Sequence, residues 1–410
     1  VAPTATEFGK QEMICSRCGE KTTKTLLPTE LAEGPTIVAD PDSPTGYTGR
    51  FVYKNENATS VVFAGDIALL DDVKREEDQT VYSPFEYRPG LMRGASFTAD
   101  MQNLGNGYWY YEVPLACGAN QYWFYVNGNT NTMVPDPANT PIWSPTAQQK
   151  NGYNYVYVPY DEKQDYEPMK LREAENPRTD GKVGTWGYVP IEIGGTTHHM
   201  GVYLPYQYDE NREEPYKLIF VLHGYGQDES DWMNIGSVQK IMDNLAAEGR
   251  TEPAIIVSVT TNNNEIGSQS DNYSNLMNVI LPFLEEKYNI SDDPMNRAFC
   301  GLSMGSMNTQ NIINGGADRF GYFGPFSGGM RVNATAPGLD KTHIFFGTGW
   351  HDSTVRPDHT GHIPLQQAGY FVEYRVVTGG HDFNAWCQLF RIFCVGYAWN
   401  PAAFGAGGVS

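Results

Sequence analysis

Residues 297–309 read RAFCGLSMGSMNT, and this stretch decides how the C-terminal half of the chain folds. A short apolar strand is expected up to Cys300, a Gly-x-Ser-x-Gly pattern occupies Gly301–Gly305, and a helix follows. At such a junction the chain must turn sharply at Ser303, and the flanking glycines remove the Cβ atoms that would collide there. The helix points its N-terminus, and the backbone NH of Met304, at the serine. The stretch therefore predicts a nucleophilic serine at a strand–helix junction.

Buried strands alternate with amphipathic helices on both sides of this stretch, from Gly181 onward. Apolar residues recur at helical spacing over Ser230–Glu248 and Tyr273–Tyr288, and a last helix is expected from about residue 383. Strands are expected at Lys217–Leu222, Ala254–Val259, 297–300, 342–347 and 371–377. This alternation predicts an α/β domain over residues 185–410 with a doubly wound, mostly parallel sheet.

A serine nucleophile needs a base that a third group orients, and in α/β-hydrolases the order along the chain is serine, acid, histidine. Of the five histidines that follow Ser303, His381 alone stands on a Gly-Gly loop between a strand and a helix, and it is the expected base. Asp352 lies on the loop after the preceding strand and is the expected acid, with Asp358 as the reserve. The neighbouring Asp382 is expected to cap its helix.

A loop after an early strand should supply a second backbone donor to an oxyanion. The sequence His-Gly-Tyr-Gly at 223–226 follows such a strand, so the NH of Tyr225 is expected beside that of Met304. His223 is expected to fix this loop by hydrogen bonds. Three tryptophans near the predicted loops are candidates for a substrate pocket, with core packing as the equal alternative: Trp232, Trp350 and Trp386. This chemistry requires no metal and no cofactor.

The N-terminal part has a different pattern. Short β-type runs separated by turn residues, with Asn-Gly at 106–107 and 127–128, predict an all-β, immunoglobulin-like sandwich over residues 46–160. Residues 1–45 are expected to form an irregular arm or linker, and the charged stretch 161–184 a connector or exposed short helix. Five aromatic residues are candidates for stacking on sugars, although strand alternation favours a core position for any single one: Tyr108, Trp109, Tyr111, Trp123 and Tyr125.

Composition excludes several classes of protein. With 28 Lys+Arg against 48 Asp+Glu, the net charge of −20 argues against partners such as nucleic acid or anionic membranes. No apolar run reaches the roughly 20 residues of a membrane span. The chain begins at Val1 without Met, so a removed signal peptide or a cut from a longer chain is expected, and the Tyr-, Asn-, Gly- and Thr-rich composition is typical of secreted polysaccharide-acting proteins.

The six cysteines are too sparse for a disulfide scaffold. Cys15 and Cys18 are half of a zinc-ribbon pattern, and a local disulfide or the remnant of a neighbouring module is favoured over a metal site. Cys387 and Cys394 lie seven residues apart in a predicted helix, so the rise of about 10 Å keeps them from bridging each other.

Four segments carry a resemblance to a known family: HGYGQDESDW (223–232), GLSMGSMNT (301–309), GTGWHDS (347–353) and GGHDFNAW (379–386). Together, over about residues 185–395, they resemble a bacterial feruloyl esterase of carbohydrate esterase family 1. The resemblance implies Ser303 as nucleophile, Asp352 as acid, His381 as base, and the NH groups of Tyr225 and Met304 as the oxyanion hole. It also implies a secreted carboxylic ester hydrolase that releases hydroxycinnamates such as ferulate from arabinoxylan.

The upstream region resembles a family 48 carbohydrate-binding module, on Gly107-Tyr108-Trp109, Pro114-Leu115, YWFYVNG (122–128) and PDPAN (135–139). Other functions remain open at this point. An acetyl xylan esterase is the main alternative, because the residues do not determine the depth of the pocket. A non-catalytic carbohydrate-binding protein, and a peptidase or lipase on the same fold, are further alternatives.

Overall fold

The computed structural model describes residues 9–14, 21–26, 32–71, 80–147, 153–164, 170–260, 272–329 and 331–405. Cys15 and Cys18 lie outside these residues. Within them, Cys117, Cys300, Cys387 and Cys394 are buried free thiols, as expected for the last two. Among the helices of the described residues, none is both long and apolar enough to cross a membrane.

In the residues that the structure describes, the N-terminal region is all-β apart from single helical turns. Its strands are β1 (Gly9–Ile14), β2 (Lys21–Leu26), β3 (Gly34–Ala39), β4 (Tyr47–Lys54), β5 (Val61–Asp71), β6 (Leu91–Asp100), β7 (Gln102–Gly105), β8 (Tyr108–Pro114), β9 (Gly118–Val126), β10 (Asn129–Val134) and β11 (Asn154–Val158). Strands β1 and β2 form a hairpin of their own. The others form two antiparallel sheets, of order β3-β4-β8-β7 and β10-β9-β5-β6, with β11 also paired to β9.

Aromatic side chains join the two sheets. The rings of Phe51 on β4 and Phe63 on β5 lie 4.5 Å apart between centroids, and Trp109 belongs to the same buried cluster. The predicted Asn-Gly turns are present, because Asn106 and Asn127 both adopt the left-handed conformation that a two-residue hairpin turn requires. An all-β N-terminal region is therefore confirmed, and its likeness to immunoglobulin domains stays a prediction.

Two expectations for this region are wrong. Gly34–Ala39, placed in an irregular arm, is a strand that pairs along its whole length with β4. The connector is also not simply exposed: Arg172 and Glu175, in the helical turn Arg172–Glu175, are only 1% and 2% exposed. Strand pairing of Gly34–Ala39 and burial of Arg172 and Glu175 both depend on distant parts of the chain, which the local sequence does not show.

The C-terminal region contains one eight-stranded sheet. Its strands are β12 (Thr185–Ile193), β13 (Thr196–Leu204), β14 (Lys217–Leu222), β15 (Ala254–Val259), β16 (Arg297–Leu302), β17 (Tyr322–Phe326), β18 (His343–Gly349) and β19 (Phe371–Val377). They are arranged in the order β12-β13-β15-β14-β16-β17-β18-β19. The hairpin β12–β13 pairs antiparallel with β15, and the other neighbours are parallel. The predicted α/β class and mostly parallel sheet are confirmed.

Helices cover both faces of this sheet. They are α1 (Val238–Ala247), α2 (Asn272–Asn275), α3 (Leu281–Lys287), α4 (Met304–Gly316), α5 (Ile363–Gln367) and α6 (Phe383–Ile392). Two π-helical turns lie at Leu276–Ile280 and Phe393–Tyr397. Along β14, Phe220 faces the cluster that includes α4, whereas Ile219 faces the cluster that includes α1 and α6. A strand buried on both faces explains why β14 is a continuous apolar run.

The predicted helix over Ser230–Glu248 is too long at its start. The structure has irregular turns up to Ser237, whose φ of 51° is left-handed, and α1 begins only at Val238. The apolar residues before α1 are buried in turns instead, so periodicity alone overestimated the helix.

A buried polar network joins the two regions. Arg93 of β6 donates from Nε to Oδ1 of Asn384 at 2.8 Å, and Asn384 Nδ2 donates back to the Arg93 carbonyl at 2.8 Å. Arg172 also donates to Asn384 Oδ1, and its other nitrogens bind both carboxylate oxygens of Glu175 at 2.8 Å. Burial, and then the charge of Arg172, lower the pKa of Arg93 to about 10. The sheet of β6 is thereby attached to the first turn of α6.

Candidate active site

Ser303 lies between β16 and α4 in a strained backbone conformation. Its φ of 52° and ψ of −116° are rare for a residue with a side chain. A Cβ at Gly301 would lie 2.2 Å from the carbonyl oxygen of Gly305, and a Cβ at Gly305 would lie 2.5 Å from that of His223. Both glycines are therefore required by the turn, as the sequence predicts.

His381 and Asp352 form a hydrogen-bonded chain with Ser303. The Ser303 hydroxyl lies 2.8 Å from His381 Nε2, and His381 Nδ1 lies 3.0 and 3.2 Å from the two carboxylate oxygens of Asp352. In the tautomer that this network favours, the serine donates to Nε2 and Nδ1–H donates to the carboxylate. The structure thus brings the three predicted side chains together across 78 residues of sequence.

The Asp352 carboxylate is buried, and hydrogen bonds from the protein stabilise its negative charge. Burial alone would raise the pKa of this carboxyl, but hydrogen bonds from His381, from the Ser327 side chain and from the Val355 NH outweigh that effect and lower it. Thr354 and Val355 each donate a backbone NH to Oδ1 at 2.8 Å. The group is therefore an anion held in one orientation against the imidazole.

The loops that carry the acid and the base are tied to each other. The NH of Trp350 donates to the Val377 carbonyl at 2.7 Å, and the NH of His351 donates to the Gly379 carbonyl at 2.9 Å. These bonds continue the pairing of β18 with β19 into the two loops. The separation of Asp352 from His381 is thus set by a parallel sheet edge.

The other candidate aspartates and histidines are not part of the hydrogen-bonded chain from Ser303 and have different partners. Asp358, the reserve acid, forms an exposed ion pair with Arg356 at 3.7 Å. His343 is buried with its Nδ1 against the Gly321 carbonyl, and His362 stacks on Tyr374. Asp382 caps α6, because its Oδ1 accepts from the NH of Asn384 at 2.8 Å, which confirms the expected cap.

His223 has the structural position that the sequence predicts. It is fully buried, its Nδ1 lies 2.7 Å from the Gly224 carbonyl, and its Nε2 lies 3.2 Å from the Thr260 hydroxyl. Burial lowers the pKa of this imidazole to about 4. It is therefore neutral near pH 7 and holds the loop after β14.

The loop after β14 lies beside Ser303. A Cβ at Gly224 would come within 3.2 Å of the Ser303 Cβ, and the Gly224 NH is already used by the side chain of Gln227. Tyr225, the next residue, projects its side chain outward at 88% exposed. Met304 is the first residue of α4, where backbone NH groups point out of the helix end. Both predicted oxyanion donors thus belong to backbone segments adjacent to Ser303.

The three candidate tryptophans have three different environments. Trp232 is 0% exposed, donates to the Leu222 carbonyl at 2.9 Å and packs edge-on against Phe383, so of its two expected roles it has that of core packing. Trp350 is 42% exposed on the acid loop. Trp386 borders the active-site cavity and lies edge-on to the His381 ring, with 5.2 Å between centroids.

Ser327 is a site residue that the sequence analysis missed. Its hydroxyl accepts from Trp386 Nε1 at 2.8 Å and contributes to the lowered pKa of the Asp352 carboxyl. Its φ of 56° is left-handed, and its NH donates to the Gly347 carbonyl at 2.7 Å. The sequence signal that could have identified Ser327 is the Ser-Gly-Gly run directly after the buried strand β17.

A cavity of about 670 Å³ opens at Ser303 and His381. The C-terminal region lines it with the loops that hold Tyr225, Asp231 and His381. The opposite wall comes from the N-terminal region, through Asp66, Arg93, Gly94, Ala119, Gln121, Tyr153 and Tyr155. The candidate active site therefore lies between the two regions of the chain.

Parts of this chain are similar in sequence to known proteins. Residues 192–337 match the model of a family described as putative esterase. Over 208 residues the chain is 32% identical to an endo-1,4-beta-xylanase/feruloyl esterase of Xylanibacter ruminicola, which covers 48% of this chain and 28% of that protein. Over 143 residues it is 33% identical to endo-1,4-beta-xylanase Y of Acetivibrio thermocellus, which covers 32% of this chain and 13% of that protein. The chain thus spans under a third of the length of either relative.

A solved esterase structure shares the fold, and a second solved structure is similar to a lesser degree. An enterobactin esterase from Shigella flexneri superposes with a TM-score of 0.55 at 13% identity, over 90% of this chain and 97% of that one. A CE1 ferulic acid esterase from Anaeromyces mucronatus gives a TM-score of 0.48 at 23% identity, over 56% of this chain and 96% of that one. The esterase-family match and the feruloyl esterase relative support a carboxylic ester hydrolase.

Proposed function

We propose that this chain is a serine esterase that hydrolyses hydroxycinnamate esters, such as feruloyl esters, on plant cell-wall arabinoxylan. The observation that carries the proposal is the hydrogen-bonded chain from Ser303 through His381 to Asp352, with distances of 2.8 and 3.0 Å. The named activity of the Xylanibacter ruminicola relative supports the substrate class. A polysaccharide substrate also supports action outside the cell.

The reaction divides into two acyl transfers. His381 Nε2 takes the hydroxyl proton as Ser303 Oγ attacks the ester carbonyl, and the negative charge of the tetrahedral intermediate is accepted by the NH groups of Tyr225 and Met304. His381 then returns the proton to the leaving alcohol, and the acyl group stays on Ser303. Water, deprotonated by His381, attacks this acyl-enzyme and releases the acid and the free serine. Asp352 stabilises the imidazolium that forms in each half.

The surroundings of the triad favour an aromatic acyl group over acetate. Three large apolar side chains are exposed on the segments that form the site: Tyr225, which lines the cavity, Met307 one turn after Ser303 and Trp350 on the loop of Asp352, at 88%, 55% and 42%. Exposed apolar groups rimmed by polar residues are typical of binding sites for apolar ligands. An acetyl group is too small to cover such a surface, so acetyl xylan esterase is the second candidate.

A substrate panel tests the proposal. Methyl ferulate, 4-nitrophenyl acetate, acetylated xylan and a peptide ester are offered to the wild-type chain and to Ser303→Ala. Preference for ferulate that Ser303→Ala abolishes is the expected result, and turnover of acetate esters alone would overturn the hydroxycinnamate assignment. Turnover that survives Ser303→Ala would overturn the nucleophile.

The matched control is Ser306→Ala on the same helix. The Ser306 hydroxyl is buried and, within the described part of the chain, has no hydrogen-bond partner. Removing it should leave the rate unchanged, because no polar contact is lost. A loss of activity in Ser306→Ala as large as in Ser303→Ala would show that the helix, rather than the nucleophile, is sensitive to substitution.

A further inference from the structure

The position of the general acid defines where the leaving group lies. In the proposed reaction His381 Nε2 must reach the oxygen of the departing alcohol, so the alcohol part of the ester lies on the imidazole side of Ser303. The cavity that contains Ser303 and His381 is also lined by Asp382, Phe383 and Asn384, which follow the imidazole in the chain, and by residues of the N-terminal region.

The far wall of the cavity is the outer face of the sheet formed by β6, β5, β9 and β11. Side chains alternate along β9, so Tyr122 and Phe124 fill the core between the two sheets while Gln121 points to the opposite face. Gln121 pairs directly with Tyr155 of β11, and Tyr153 continues the same face two residues earlier. A mixed polar and aromatic surface therefore lines the cavity opposite the triad.

The chemistry of this wall matches a sugar. Sugar hydroxyls both donate and accept hydrogen bonds, which the carboxylate of Asp66 and the amide of Gln121 satisfy. Tyr153 adds an aromatic face and a hydroxyl, and its hydroxyl lies in the electrostatic field of both Asp66 and Asp231. Burial, together with the charge of Asp228, raises the pKa of Asp231, another carboxyl that lines the cavity.

The wall is held in a fixed position relative to the triad. Arg93, which borders the cavity, exchanges two hydrogen bonds of 2.8 Å with Asn384, three residues after His381. Both side chains are buried. A ligand that bridges the wall and the imidazole thus meets a preorganised site.

We infer that the cavity between His381 and the N-terminal sheet is the subsite for the alcohol part of the ester, a pentose or short oligosaccharide, with Asp66, Gln121 and Tyr153 as specificity residues. This inference rests on the proposed function, because it uses His381 as the proton donor to the leaving group. It assigns the N-terminal region a part in the active site itself.

Paired substrates test the subsite. The ratio of kcat/KM for a feruloylated arabinoxylo-oligosaccharide to that for methyl ferulate is measured for the wild type, Gln121→Leu, Tyr153→Phe and Asp66→Asn. Each variant is expected to lower this ratio about tenfold, mainly through KM for the oligosaccharide, because methyl ferulate has no sugar to lose. The control is Gln102→Ala on β7 of the other sheet, where the side chain is exposed and the ratio should stay constant.

A binding measurement separates this inference from the proposed function. Calorimetry with the unesterified arabinoxylo-oligosaccharide is expected to show binding to the full chain that weakens at least about tenfold in Tyr153→Ala. A ratio that stays within twofold in all three variants, or sugar binding that is absent or unaltered by Tyr153→Ala, overturns the subsite. Sugar binding that weakens as expected, in a chain that turns over no ferulate ester, supports the subsite and overturns the feruloyl esterase function alone.

Discussion

Replacing Asp352 with asparagine removes a charge from the triad with little change of shape. The backbone NH groups of Thr354 and Val355 both donate to Oδ1, so the amide oxygen of the new side chain must take that position. Its NH2 group then lies where Oδ2 was, 3.2 Å from the Nδ1 donor of His381. The imidazole thus faces a neutral group that is partly repulsive instead of a carboxylate.

The size of the effect follows from the distance and the exposure. At 3.0 Å between Nδ1 and Oδ1, an effective dielectric constant of about 20 gives an attraction between imidazolium and carboxylate of about 5.5 kcal/mol. The His381 side chain is 24% exposed, and solvent therefore screens part of this attraction. About 3–5 kcal/mol of transition-state stabilisation should be lost, which lowers kcat by about 10² to 10⁴.

The assay is steady-state hydrolysis of 4-nitrophenyl acetate and of methyl ferulate, with thermal unfolding to show that the variant folds. The loss should appear in kcat for both substrates, because the imidazolium forms whichever acyl group is transferred. Asp358→Asn is the matched control, and its exposed pairing with Arg356 predicts a change of less than about twofold. A folded Asp352→Asn variant that keeps more than about a fifth of the wild-type kcat would refute the reasoning, as would an equal loss in Asp358→Asn.

Three further predictions concern neighbouring side chains. Trp386→Phe removes the donor to Ser327 that helps to orient the acid, and kcat should fall about tenfold with KM nearly unchanged; an effect confined to KM would contradict this positioning role. Glu175→Gln leaves the buried guanidinium of Arg172 without its counter-charge and should lower the free energy of unfolding in urea by about 3–5 kcal/mol, whereas a loss below about 1 kcal/mol would show that the pair is dispensable. The pKa of the buried His223 is lowered to about 4, whereas a histidine in the unfolded chain has a pKa of about 6.5. Between these pH values the unfolded chain binds a proton on this residue that the folded chain does not. The free energy of unfolding should therefore fall by up to about 3 kcal/mol as the pH falls from about 6.5 to 4. Urea unfolding at several pH values should show a shallower acid loss in His223→Gln, and identical slopes would exclude His223 as the cause.

Structural features that depend on only a few consecutive residues could be predicted from the sequence. The glycines beside Ser303 are needed because backbone atoms would otherwise overlap, and such overlap is a property of a few consecutive residues. The same holds for the turns at Asn106 and Asn127 and for the cap at Asp382, each formed by residues within three positions of one another. These features could therefore be read directly from the order of the residues.

The triad was predictable for a related reason. Loops at the carboxyl ends of parallel strands meet at one edge of the sheet, so Ser303, Asp352 and His381 were expected together once β16, β18 and β19 were recognised. The hydrogen-bond distances of 2.8 and 3.0 Å within the group required the structure.

Contacts between distant segments were not predictable from the residues themselves. Trp232 and Trp386 both stand near predicted loops, yet the first is enclosed by α6 and the second borders the cavity, because packing against other elements decides which side of a loop is covered. Ser327 became part of the site only through partners 25 and 59 positions away.

The sequence by itself thus indicated the class of fold and the three residues that meet at the candidate site, since these depend on periodicity and on sterics over a few residues. The tertiary structure alone decided that β3 belongs to a sheet, that Arg172 and Glu175 are buried, and that Gln121 faces the triad. A one-dimensional pattern shows that a face is apolar or polar but not which surface will cover it, and the active-site wall in this chain is made by such a covering surface.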